Sequence, residues 1–178
     1  LQKGVHNVHQ TDMNDLLLSA LGKAIRDTFN VERTVITLEG HGREEILEGI
    51  DVSRTVGWFT SIFPFILEAS CNNSIDTLLK VKEDLNTIPN KGIGYGILKH
   101  LTDIKYKDPK ASIEFNYLGD FGSSINSESQ SILEYGSEDI GDNVDSSNGN
   151  EALLSVLGLI SNDQLTLSIR FSQSFYYK

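Results

Sequence analysis

The segment Arg33–Glu44, RTVITLEGHGRE, joins a short β-branched run to a loop with glycines on both sides of His41. The run predicts a strand, and the glycines allow the backbone to turn sharply or to approach a ligand closely. A glutamate held at a strand end and partly desolvated can have its pKa raised and exchange a proton with a carbon acid. Glu39 is therefore a candidate acid–base group. Composition alone favours the alternative, a charged strand end with Arg43 paired to a glutamate.

A helix is predicted before this strand. Residues 11–30 place apolar side chains at helical spacing. Thr11 or Asp12 can cap the first turn, and Asp15 adds negative charge at the positive end of the helix dipole.

Strands and helices alternate after the loop. The pattern predicts a buried extended strand over 55–67, a helix over 74–87 capped by Ser74, a short helix over 97–101 and a strand over 112–118. Residues 119–150 predict a long, partly mobile loop with one short strand over 131–135, followed by a hairpin of 153–160 and 164–171. This order predicts an α/β fold, a mixed β-sheet with packed helices.

Composition limits the possible functions. The chain has 178 residues, 15 Lys plus Arg and 25 Asp plus Glu, and its net charge of −10 argues against nucleic-acid binding. A single cysteine, Cys71, excludes an internal disulfide and suits a reducing cytoplasmic compartment. The sequence predicts no membrane span. Because the chain starts at Leu1 and its first methionine is Met13, we expect a piece of a longer protein.

Several other motifs predict no site. His6, His9 and Asp12 have a spacing that could suggest a metal site, but no second cluster supports one, so no metal is expected. Nucleophile-elbow and Walker sequences are absent. The glycines in KGIGYG (91–96) do not follow a strand, so a tight packed loop is favoured over a dinucleotide site.

Five ordered segments carry a family resemblance: TDMNDLLLSALGKA (11–24), LEGHGRE (38–44), DVSRTVGWFTSIFPFIL (51–67), NKGIGYGIL (90–98) and IEFNYLGDF (113–121). The chain resembles the C-terminal half of an epimerization domain of nonribosomal peptide synthetases, a branch of the condensation-domain superfamily. The resemblance implies a chloramphenicol acetyltransferase-like fold with two lobes in a V. Residues 1–178 would form the C-terminal lobe, with the N-terminal lobe absent.

The resemblance also implies a reaction. Such domains interconvert L- and D-configuration at the α-carbon of an aminoacyl or peptidyl thioester on the phosphopantetheine arm of a peptidyl carrier domain. No cofactor of the domain's own is implied. Glu39 matches the family's carboxylate, and the partner histidine would lie in the absent lobe. This chain alone is therefore expected to have little or no activity.

The resemblance assigns further candidates. Arg43 would orient the site or offset charge near an enolate oxygen, and Asn116 or Tyr117 would donate to the thioester oxygen or position the substrate. His41, Gly42 and Trp58 are candidate substrate contacts, although a structural role is favoured for His41 and a core or lobe-interface role for Trp58. The alternatives are a condensation domain that forms peptide bonds and a non-catalytic lobe that docks a carrier domain.

Overall fold

A computed structural model describes residues 10–70, 73–105, 107, 109–121, 141, 148, 152–161 and 163–176. The chain divides into two compact units, residues 1–111 and residues 112–178. Each unit has its own set of paired strands.

The described residues of the first unit form three helices and two strands. The order is α1 (Met13–Phe29), β1 (Arg33–Gly40), β2 (Ser61–Glu68), α2 (Ser74–Asn86), a 3₁₀ turn (Pro89–Gly92) and α3 (Ile93–Leu101). β1 and β2 pair antiparallel, in register from Arg33 opposite Glu68 to Gly40 opposite Ser61. Helices α1 and α2 contact each other, and α3 contacts β2.

The core of this unit follows the alternation of apolar residues in the strands and their helical spacing in the helices. Alternate residues of β2, Phe63, Phe65 and Leu67, are buried, as are Ile36 and Leu38 of β1. The helices bury Leu18, Ile25, Leu78 and Val81. Gly22 lets α1 pack closely against Ala69, the residue after β2, because a Cβ on Gly22 would lie 3.1 Å from the Cβ of Ala69.

In the part of the second unit that the structure describes there are three strands and one short helix. These are β3 (Ile113–Asp120), β4 (Leu154–Ser161), β5 (Gln164–Phe171) and α4 (Gln173–Tyr176). β3 and β4 are parallel, whereas β4 and β5 form an antiparallel hairpin. Parallel and antiparallel pairing therefore coexist with packed helices, which confirms the predicted mixed α/β class and the predicted hairpin.

Three local predictions were wrong. Residues 55–60 are not a strand, and β2 begins only at Ser61, because the run from 55 to 60 is irregular, with a bend at Gly57, and does not pair with β1. Asn73, not Ser74, caps α2, and its side chain accepts from the Asp76 amide at 2.8 Å. Helix α3 begins at Ile93 and not at residue 97, so Gly94 and Gly96 lie inside the helix. A Cβ built on either glycine would have no neighbouring atom within 4 Å.

Other predictions fall outside the described residues. These are His6, His9, Cys71, nearly all of the loop 119–150 and its predicted strand 131–135. Within the described part of the chain, no helix is both long and apolar enough to cross a membrane.

The first turn of α1 has the predicted cap. Asp12 is the N-cap residue, and its amide donates to the Asp15 carboxylate at 2.8 Å. Asp15 is buried, and this burial raises its pKa above the ordinary 3.8. The folded state therefore holds the Asp15 proton more tightly than the unfolded chain does.

The Asp15 contribution to folding should fall as pH rises from about 4 and level off above the folded-state pKa. Asp15→Asn keeps an oxygen acceptor for the Asp12 amide and should flatten this fall, measured by urea denaturation between pH 3 and pH 7. Asp27→Asn, on the same helix, is the control, because the contribution of Asp27 to stability changes with pH in the opposite direction. A hydrogen bond from Lys23 lowers the Asp27 pKa, so Asp27 stabilises above pH 3.8 and loses that effect as pH falls. Identical profiles for the two variants would refute the assignment.

Candidate functional site

Glu39 lies one residue before the end of β1. It pairs with Ile62 across the strands, so the two side chains share one face of the sheet. The helix-facing residues Leu38 and Phe63 are buried, whereas Glu39 and Ile62 are exposed. The strand fixes the Glu39 backbone, but the described chain does not bury its carboxylate as the sequence analysis anticipated.

The backbone turns sharply at Gly42. Its φ is +66°, and a Cβ built there would lie 1.6 Å from the carbonyl oxygen of Phe59. Only glycine avoids both the left-handed strain and this overlap. The close approach predicted for the glycine-flanked loop is therefore made to Phe59 of the chain itself.

His41 bridges the turn. Its Nδ1 accepts from the Arg43 amide at 3.0 Å, and its Nε2 lies 3.1 Å from Glu44 Oε1. In the neutral ring these partners place the proton on Nε2, which donates to Glu44. Lys91 Nζ lies 3.7 Å from the other Glu44 oxygen. These contacts agree with the structural role that the sequence analysis favoured for His41.

Arg43 fixes the loop that follows. Its guanidinium donates to the carbonyls of Val52 at 2.6 Å and Gly57 at 3.2 Å, and it lies 4.4 Å from the centre of the Phe59 ring. No ion pair between Arg43 and a glutamate occurs among the described residues. Arg43 thus orients the segment between β1 and β2. Its two predicted roles in the site stay predictions.

Arg43→Lys should lower the free energy of unfolding by about 1–2 kcal/mol, because lysine keeps the charge but cannot reach both carbonyls and cover the ring. Arg54→Lys, an exposed position on the same loop, should change it by less than about 0.5 kcal/mol. Urea denaturation of both variants checks this. Equal small changes would show that the Arg43 contacts do not hold the loop.

The NKGIGYG segment packs against the same region. Asn90, Lys91 and Gly92 all have positive φ, and a Cβ on Gly92 would lie 2.2 Å from the Phe63 ring. The predicted tight packed loop is thus present at Gly92 alone of the three glycines, since Gly94 and Gly96 lie within α3. Three of the five resemblance segments, 38–44, 51–67 and 90–98, therefore meet at the end of β1.

Trp58 does not lie in the core. Its side chain is 91% exposed, whereas its neighbour Phe59 is half-buried beneath Arg43. Of the two roles favoured for Trp58, the core role was wrong, because residues 55–60 precede the paired part of β2. The lobe-interface role stays a prediction.

Asn116 and Tyr117 lie on β3 of the second unit, and both are half-buried. As consecutive strand residues they point to opposite faces, Tyr117 to the side of buried Phe115. Burial, and secondarily the charge of Asp120, raises the pKa of Tyr117. The phenol therefore stays protonated at neutral pH and can donate a hydrogen bond.

The described residues hold no group of three or more His, Cys, Asp or Glu side chains arranged to bind a metal ion. Four residues that support the end of β1 were not predicted as site residues from the sequence: Glu44, Phe59, Lys91 and Gly92. All four lie inside the resemblance segments, which was the available signal, but side-chain pairing cannot be read from segment order.

Comparison with known proteins places these features in a family. The condensation-domain profile matches residues 1–178. Gramicidin S synthase 1 of Brevibacillus brevis is 46% identical over 135 residues, which are 72% of this chain and 12% of that protein. Bacitracin synthase 3 of Bacillus licheniformis is 37% identical over 182 residues, which are 100% of this chain and 3% of that protein. The chain thus spans a small part of each of these relatives.

Two solved structures also match. The epimerization domain of the third module of tyrocidine synthetase B is 35% identical with a TM-score of 0.86, over 97% of this chain and 39% of that one. The first condensation domain of the CDA synthetase is 11% identical with a TM-score of 0.52, over 95% and 36%, and shows the fold alone. The chain belongs to the condensation-domain family, within the superfamily found in nonribosomal peptide synthetases.

Proposed function

We propose that this chain is the C-terminal lobe of an epimerization domain that inverts the α-carbon of a carrier-bound aminoacyl or peptidyl thioester. The observation that carries the proposal is the position of Glu39, at the end of β1 where three resemblance segments meet. The 35% identity and TM-score of 0.86 with an epimerization domain support the same branch.

The reaction is a proton exchange. A thioester acidifies its α-hydrogen, so a base can remove the proton to leave an enolate, and an acid on the opposite face can return one. Glu39 serves as one of these two groups. The other is supplied by the N-terminal lobe, so residues 1–178 alone lack activity.

The remaining roles follow from the contacts. Arg43 is a positioning residue, because its guanidinium is engaged by two carbonyls and an aromatic ring. Gly42 and His41 shape the turn after Glu39. Tyr117, or Asn116 on the opposite face of β3, donates to the thioester oxygen as negative charge develops there. Exposed Trp58 contacts the substrate or the other lobe.

The partners in this proposal are a peptidyl carrier domain and the N-terminal lobe. The phosphopantetheine arm belongs to the carrier and arrives as part of the substrate, so the domain needs no cofactor of its own. Proton transfer at a thioester α-carbon needs only an acid, a base and a stabilised oxygen. We place the reaction in the cytoplasm, where Cys71 remains a thiol.

Chiral analysis of the released amino acid tests this proposal. The complete domain, supplied separately with L- and D-aminoacyl carrier, should reach the same mixture of enantiomers from both. A condensation domain would instead form a peptide with an added aminoacyl-carrier acceptor, and a docking lobe would do neither. Unchanged configuration from both starting enantiomers would overturn the proposal.

A further inference from the structure

We propose that Glu44 is a positioning residue for Glu39, acting mainly through His41. This inference rests on the proposed function, since it concerns how the chain holds the proposed acid–base group. Glu44 lies five residues beyond Glu39, and its side chain is only 18% exposed.

A series of side-chain and backbone contacts links the residues around the end of β1. His41 accepts from the Arg43 amide and contacts Glu44, and Glu44 contacts Lys91. Lys91 precedes Gly92, whose Cα faces the Phe63 ring, and Phe63 pairs with Leu38 beside Glu39. Glu44 is the one carboxylate in this series, and it joins the turn after β1 to the turn before α3.

Rigid backbone on both sides makes this connection effective. Gly42 packs against the Phe59 carbonyl with no room for a side chain, and a Cβ on Gly40 would lie 2.9 Å from Ser61 Oγ. The residues between Gly40 and Glu44 thus have few alternative paths. Removing the Glu44 carboxylate takes away one of the two contacts that orient the His41 ring, the other being the hydrogen bond from the Arg43 amide.

The two contacts of Glu44 differ in strength. Lys91 is 74% exposed and its ammonium lies 3.7 Å away, which is typical of a weak surface pair. The His41 side chain is also exposed, at 62%, but its contact is shorter, at 3.1 Å, and the Arg43 amide orients the ring. We therefore assign the positioning effect to His41 and a minor part to Lys91.

Steady-state kinetics of α-proton exchange in the complete domain separates these contributions. Glu44→Ala removes both contacts and should lower kcat by between about tenfold and 10²-fold, with KM for the carrier-bound thioester unchanged, because misplacement of an acid–base group affects the chemical step. Glu44→Gln keeps an oxygen acceptor for His41 and should restore kcat to within about threefold of the parent. Lys91→Met should match Glu44→Gln.

His41→Asn completes the series. Asparagine can still accept from the Arg43 amide two residues ahead, but it is too short to reach Glu44. It should therefore lower kcat as Glu44→Ala does. The double variant with His41→Asn and Glu44→Ala should have a kcat no lower than that of either single variant. Glu45→Gln, at an exposed neighbouring position, is the control and should match the parent.

The outcomes separate this inference from the proposed function. Parent activity that is lost in Glu39→Gln but unchanged in Glu44→Ala would overturn the positioning role alone. A Glu44→Gln variant as impaired as Glu44→Ala would also overturn it, because the neutral acceptor should suffice. Absence of exchange by the parent would instead overturn the proposed function.

Discussion

Glu39→Gln in the complete domain is expected to lower the rate of α-proton exchange by about 10²- to 10⁴-fold, the usual contribution of a positioned acid–base group. Glutamine preserves the size of the side chain but cannot accept or return a proton at neutral pH. Since Glu39 is exposed at the end of β1, the free energy of unfolding should change by less than about 0.5 kcal/mol. Solvent deuterium uptake at the α-carbon measures the rate, and urea denaturation measures the stability.

Glu45→Gln is the matched control for this experiment. Glu45 is exposed, lies in the loop that follows β1 and loses the same charge on substitution. Its exchange rate should equal that of the parent. Similar rates for Glu39→Gln and Glu45→Gln would show that Glu39 moves no proton in the reaction, and would direct attention to the hydroxyl of Tyr117.

Gly42→Ala should destabilise the fold by about 2–5 kcal/mol, combining left-handed backbone strain with steric overlap. The overlap arises because the new Cβ would meet the Phe59 carbonyl at 1.6 Å. Relief requires movement of residues 57–61 or of the turn itself, and both carry contacts of Arg43. Urea denaturation should show a lower midpoint, and the exchange rate should fall as well.

Gly49→Ala separates the two contributions. Gly49 also has a positive φ, +79°, but a Cβ there meets nothing within 4 Å. Only the strain remains, so the expected loss is about 1–2 kcal/mol. Equal losses at the two positions would contradict the close packing between the turn after β1 and the start of β2.

The sequence predicted the elements whose signals are local. Helix α1 begins at the predicted cap, because Asp12 and Asp15 satisfy its first turn, and the β4–β5 hairpin follows from two apolar runs and a short polar turn. Glu39 was placed correctly at a strand end. These features depend on residues close in sequence, which is why patterns alone identify them.

Prediction failed where tertiary contacts override local pattern. The run at 55–60 is aromatic and β-branched, yet it is irregular and not a strand. The Gly57 carbonyl accepts from Arg43, and Trp58 is left exposed. Gly94 and Gly96 suggested an interruption, but they lie within α3. The link between Glu44 and Lys91 joins residues 47 positions apart, and no spacing rule anticipates it.

The most direct test of the account is deuterium incorporation at the α-carbon of an aminoacyl thioester, supplied on a carrier domain to the complete domain in D₂O. The account predicts incorporation from both L- and D-thioesters, with loss of configuration at the same carbon. Peptide-bond formation with an added acceptor, and no incorporation from either enantiomer, would contradict it.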